Sequence, residues 1–254
     1  MTAKRRVLLM KVGVWALGLY PLARVAWWVV PEGLLGLGAN PIERVLHHTG
    51  WWALTLLLVT LAITPARRIT GRNELIKLRR PLGLFAFFWA TVHLGIYLGL
   101  DQFFAWAFIL EDVAERPFIT VGAAAWLILL PLAFTSTRGW IRRLGRRWTW
   151  IHRGAYLAAV LGVIHFYWRV KADTRVPLIF AAAFVALMAL RMRWTGKRPV
   201  RSAPKRSDAR DGATTAAPTA AVVREAGAGA GAGRGPNPRP RVRRLPNGPP
   251  HPGW

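Results

Sequence analysis

The segment Trp148–Trp168, WTWIHRGAYLAAVLGVIHFYW, is apolar almost throughout and yet carries two histidines, His152 and His165. A run of about 20 apolar residues is the length that crosses roughly 30 Å of hydrocarbon as an α-helix. A polar, titratable ring inside a bilayer is costly and normally has a partner. The segment therefore raises two questions: whether the rest of the chain is built of such runs, and what the imidazoles face.

Apolar blocks recur near residues 9–30, 48–64, 82–100, 118–135, 148–168 and 176–192. The predicted fold is an all-α membrane protein, a bundle of six transmembrane helices within residues 1–194. The second block is the shortest, and Pro21 interrupts the first. The first is too long for the apolar core of a signal peptide and lacks a small-residue cleavage site, so it reads as a span.

A net charge of +25 suggests nucleic acid at first sight. Its placement argues against that partner. Lys4, Arg5, Arg6 and Lys11 precede or open the first block. Arg67, Arg68, Arg72, Lys77, Arg79 and Arg80 lie between the second and third. Arg138, Arg142, Arg143, Arg146 and Arg147 lie between the fourth and fifth. The alternate connections are acidic or mixed, with Glu32, Glu43 and Arg44, then Asp101, Glu111, Asp112, Glu115 and Arg116. Basic residues on every second connection follow the positive-inside rule and predict a multi-pass protein with both termini cytoplasmic. The short connection with Arg169, Lys171, Asp173 and Arg175 fits that pattern least well.

The sequence has no cysteine. Disulfides, thiolate zinc sites, iron–sulfur clusters and covalently attached c-type heme are thereby excluded. Residues 195–254 change character, as in EAGAGAGAGRGPNPRPRVRRLPNGPP. Such a composition buries too little apolar surface to offset its ordering entropy and predicts a disordered, basic cytoplasmic tail close to anionic membrane lipid. Its glycine run lacks the spacing of a phosphate loop. No internal repeat is evident at a solenoid-like period.

Of six histidines, His251 lies in the tail. His47 and His48 open the second block, His93 lies within the third, and His152 and His165 within the fifth. A mid-membrane histidine can hydrogen-bond a neighbouring helix, relay protons, or ligate a metal or heme. Measured from Arg80 and Arg147, His93, His152 and His165 lie roughly 20, 8 and 27 Å deep at 1.5 Å per residue. A bis-histidine heme between His93 and His165 is the first choice, since bundle cores build such sites from facing helices. On an ideal helix His152 and His165 point about 140° apart. His152 is therefore assigned a separate role, a second heme or a donor site, beside Arg153 and its basic neighbours. Gly83, Gly95, Gly99, Gly154 and Gly162 flank these histidines and allow close approach of helices or of a flat macrocycle.

Four stretches resemble the MsrQ family in order: NPIERVLHHTGWWALTLLLVTLAITPARR, RRPLGLFAFFWATVHLGIY, ERPFITVGAAAWLILLPLAFTST and LGRRWTWIHRGAYLAAVLGVIHFYWRVK. That family comprises heme-binding membrane subunits of a periplasmic methionine-sulfoxide reductase system, within the ferric-reductase-like transmembrane superfamily. The resemblance covers about residues 10–193. It implies b-type heme, a bacterial inner-membrane location, and electrons drawn from the quinone pool, with FMN as a further candidate cofactor. Those electrons would pass to a periplasmic molybdenum-containing reductase, MsrP, which carries the chemistry on oxidised methionine. His93, His152 and His165 match heme-associated positions, and His47 matches the histidine before the Thr-Gly pair of the second span. The wider superfamily carries two histidines on the third span; here the later position, near Trp106 or Ala107, holds none, and a second bis-histidine heme is not carried over. No flavin or nicotinamide domain follows, so the chain is not expected to oxidise NADPH alone. Rival readings are a quinol-oxidising cytochrome b subunit of another complex, a ferric reductase, or a proton-coupled transporter with histidine relays. Carboxylates within the blocks would favour the transporter, and the blocks contain none.

Overall fold

The computed structural model describes residues 3–170 and 173–195, and what the sequence predicts for the tail lies outside them. Among the described residues every regular element is helical. The main helices are α1 (Ala3–Glu32), α2 (Pro41–Thr70), α3 (Arg79–Ile96), α4 (Trp106–Glu115), α5 (Pro117–Phe134), α6 (Arg138–Leu144), α7 (Arg146–Ile151), α8 (Gly154–Arg169) and α9 (Arg175–Thr195). Short 3₁₀ turns precede α2 and α3, and a π turn, Tyr97–Asp101, continues α3.

Local chemistry sets the boundaries. Asn40 caps α2: its side chain accepts from the Glu43 N–H and donates to the Glu43 carboxylate, with Pro41 at the first helical position. Gly71 ends the same helix at φ 68°, the left-handed conformation glycine adopts without penalty. Pro117 opens α5. Helix α1 runs through Pro21 without ending there.

Five helices among the described residues are long and apolar enough to cross a membrane: Arg5–Pro31, Pro41–Thr70, Asn73–Asp101, Pro117–Phe134 and Arg175–Arg193. The block expected over 148–168 is the exception. It divides at His152–Arg153 into α7 and α8, just before Gly154, a weak helix former. Helix α8 has 16 residues, about 24 Å of rise. It packs along α5, and the Trp148 indole N–H just before it donates to the Thr135 carbonyl at the end of α5, 3.0 Å away.

Helices α2 and α3 form the other closely packed pair. The core lies among α2, α3, α5 and α8, with Leu56, Leu61, Leu82, Ala86, Trp89, Leu132 and Ala159 buried. Many large apolar side chains face outward instead, including Trp27, Val30, Phe88, Leu127 and Ile179. An apolar surface of this extent suits lipid rather than water.

Helix α1 lies against α3 through a close contact. The buried Trp89 N–H donates to the Gly18 carbonyl at 2.8 Å. A Cβ at Gly18 would stand 2.6 Å from the Phe85 ring. Gly18→Val is therefore expected to push α1 off α3, to cost about 1–3 kcal/mol by overpacking, and to lower the thermal unfolding temperature in detergent. An unchanged unfolding temperature would contradict the contact.

Candidate functional site

Helices α3 and α8 each contribute one imidazole, and the two meet. The ring centroids of His93 and His165 are 6.0 Å apart, with ring planes at 83°. Each ring is tied at the same atom. Nδ1 of His93 donates to the Leu46 carbonyl on α2 at 2.9 Å, and Nδ1 of His165 donates to the Phe118 carbonyl on α5 at 2.7 Å. A carbonyl only accepts, so both Nδ1 atoms carry the proton and both Nε2 atoms keep a lone pair. The buried Thr49 hydroxyl bonds the Val45 and Leu46 carbonyls and lies 3.5 Å from His93 Nδ1.

Space for each ring comes from a glycine one helical turn beyond the accepting carbonyl. A Cβ at Gly50 would stand 2.9 Å from His93, and a Cβ at Gly122 would stand 2.6 Å from His165. In both cases the histidine follows its carbonyl by 47 residues. One offset thus carries the constellation Leu46, Gly50, His93 onto Phe118, Gly122, His165. The α2–α3 and α5–α8 pairs present their imidazoles in the same way, a repetition not seen in the sequence because few other residues repeat with it. The glycines picked out by sequence lie elsewhere. Gly83 faces Thr60, Gly154 faces Ile128 and Gly162 faces Leu54, while nothing lies within 4 Å of a Cβ at Gly95. Gly50 and Gly122 were missed because each lies more than 40 residues along the chain from the ring it admits, not beside it in sequence.

This donor set fits heme iron. A metal–imidazole bond is about 2 Å, so two rings on opposite sides of one metal stand roughly 6 Å apart, centroid to centroid. Neutral rings with Nδ1 bonded to a backbone oxygen and Nε2 available are the form in which histidine ligates metals. Among the described residues no group of three or more His, Asp or Glu side chains is placed to hold a metal ion.

His152 is not part of this pair. It lies in the turn before α8, stacked on Trp148 at 4.1 Å, with Nε2 3.2 Å from the Thr135 hydroxyl. Arg146, Thr149, Trp150 and Arg153 line a shallow depression next to it. The helix break at His152 removes the ideal-helix angle expected between it and His165, yet the two still have different surroundings. His47 sits 3.5 Å from the Glu43 carboxylate, and His48 lies 3.3 Å from the Pro21 carbonyl, packed on Trp28.

Residues 49–163 match the family described as ferric reductase like transmembrane component. Curated relatives carry the name protein-methionine-sulfoxide reductase heme-binding subunit MsrQ. The protein from Xanthomonas oryzae pv. oryzae (strain MAFF 311018) is 50% identical over 188 residues, 73% of this chain and 86% of the relative. That from Xanthomonas euvesicatoria pv. vesicatoria is 47% identical over 204 residues, 79% of this chain and 93% of its own. That from Caulobacter vibrioides is 49% identical over 187 residues, 73% and 87%.

The chain belongs to the MsrQ family.

The matched ferric-reductase-like segment includes His93, His152 and both glycines and stops two residues before His165. The paired docking makes a direct prediction for the metal-free protein. Nitrogen-15 spectra should show the Nδ1–H tautomer at both His93 and His165. Protonation of Nε2 at either ring would contradict the assignment.

Proposed function

We propose that this chain binds b-type heme between His93 and His165 and passes electrons across the bacterial inner membrane to a periplasmic methionine-sulfoxide reductase, the molybdenum enzyme MsrP. The observation that carries the reading is the facing pair of imidazoles, each held at Nδ1 and each with Nε2 left for a ligand. The relatives' name, heme-binding subunit, points to the same chemistry. Bound there, heme supplies one-electron redox chemistry whose potential is set by its ligands and surroundings.

The chain's own residues do the remaining work. Leu46 and Phe118 carbonyls fix the tautomer and ring orientation, which also raises the basicity of the ligating nitrogen. Gly50 and Gly122 let the rings lie against the neighbouring helices. His152, with Trp148 and Arg153, is assigned to electron entry on the cytoplasmic side. A quinol is the donor in this reading and FMN a further candidate, since the arginines beside His152 suit an anionic or polar headgroup.

Six crossings are proposed, with α8 as the fifth. In support, α8 and the turn leading into it are anchored to both ends of α5, at Phe118 through His165 of α8 and at Thr135 through His152 and Trp148 just before it. An even number of crossings puts both termini on the arginine-rich, cytoplasmic side. Residues 195–254 are assigned to a tail outside the heme domain.

His93→Ala and His165→Ala are each expected to abolish most heme absorbance per protein. His152→Ala should retain the His93–His165 heme and slow its reduction by quinol or reduced flavin. Full heme retention in both single variants would overturn the site.

A further inference from the structure

One turn beyond His165, on the same helix, lies Arg169. Residues four apart on a helix share a face about 5–6 Å apart. Arg169 therefore rises from the face that carries the His165 ring, and its charge acts on both His165 and His93. Its side chain is mostly covered, 24% exposed. Its guanidinium Nη2 is 3.3 Å from the Glu43 Oε1 on α2. That carboxylate is itself fixed: Asn40 donates to its other oxygen at 3.0 Å, and His47 Nε2 lies 3.5 Å from Oε1. The ion pair thus ties the end of α8 to the start of α2, next to the Leu46 carbonyl that orients His93.

The other half of the repeated constellation differs. Four residues beyond His93 stands Tyr97, whose hydroxyl donates to Asp112 at 3.0 Å. Asp112 is in turn paired with Arg116 at 3.2 Å and accepts from Gln102 at 2.8 Å. The α3 side therefore presents a neutral phenol where the α8 side presents a fixed cation. The Glu43 carboxylate is an exposed residue at a helix start, whereas Arg169 is the more covered partner and the one on the ring-bearing face.

We propose that Arg169 is a positioning residue that sets the reduction potential of the group held between His93 and His165, with Glu43 as the carboxylate that holds it and partly offsets its charge. The proposal rests on the heme reading above. Reduction adds one electron to the site and lowers its charge by one. A fixed positive charge nearby, in a medium that screens weakly, favours the reduced form. A carboxylate one ion pair further out opposes it. The two residues therefore pull the potential in opposite directions, which a purely structural role for either would not produce.

The test is a spectroscopic redox titration of the full chain in detergent, comparing wild type with Arg169→Gln, Arg169→Lys and Glu43→Gln. Heme content is measured on the same samples. The expected result is a lowered midpoint in Arg169→Gln, a raised midpoint in Glu43→Gln, and a midpoint near wild type in Arg169→Lys. If Arg169→Gln loses the heme, the other two variants decide: a raised Glu43→Gln midpoint with an unmoved Arg169→Lys midpoint supports the proposal, and any other pattern overturns it. With heme retained, unmoved midpoints, or shifts of the same sign in Arg169→Gln and Glu43→Gln, overturn it alone. Wild-type protein without heme overturns the underlying reading and this proposal with it.

Discussion

An imidazole whose Nδ1 proton is given to a backbone carbonyl has a single nitrogen left to offer. The structure imposes that constraint twice, at Leu46–His93 and at Phe118–His165, and the bundle is arranged around it. Helix α2 has to lie close enough to α3, and α5 close enough to α8, for a carbonyl to reach a ring on the neighbouring helix. Glycine at positions 50 and 122 makes this possible, because any Cβ there would collide with the ring. The two helix pairs bring the rings together, with centroids 6.0 Å apart. Buried polar groups in an apolar bundle are stable only when satisfied. Here the tie that satisfies each Nδ1 is also the one that orients each Nε2.

The fold class was legible in the sequence because apolar run length depends on composition alone. Five of the six expected blocks correspond to helices of crossing length. The sixth shows what composition misses: 148–168 is apolar almost throughout but is broken at His152–Arg153, where His152 turns to Thr135 and stacks on Trp148. Depth along the chain was enough to favour His165 over His152 as the neighbour of His93, and the structure places those rings 6.0 Å apart. The glycine docking positions were not legible. Each depends on which helix packs against which, and nothing near Gly50 or Gly122 marks a partner more than 40 residues away. The repeated constellation was hidden for the same reason, since it consists of a carbonyl, a glycine and a ring rather than a recurring run of side chains.

The two ends of the bundle have different electrostatic character. Near the His93–His165 pair, acids and bases are matched: Arg169 with Glu43, and Arg116 with Asp112. At the other end, arginines 67, 68, 79, 146, 147 and 153 greatly outnumber carboxylates, and Arg6–Glu74 is the ion pair formed there among the described residues. An arginine-rich face of this kind attracts anionic or polar groups, and the balanced face does so far less.

The ferric electron paramagnetic resonance spectrum of the wild-type protein tests the central claim most directly. Two imidazoles on one iron give a low-spin ferric state, and ring planes near the observed 83° give it a strongly anisotropic signal. The account predicts that signal as the main ferric species. A high-spin ferric spectrum, or the rhombic low-spin signal of nearly parallel imidazoles, would contradict the placement of heme between His93 and His165.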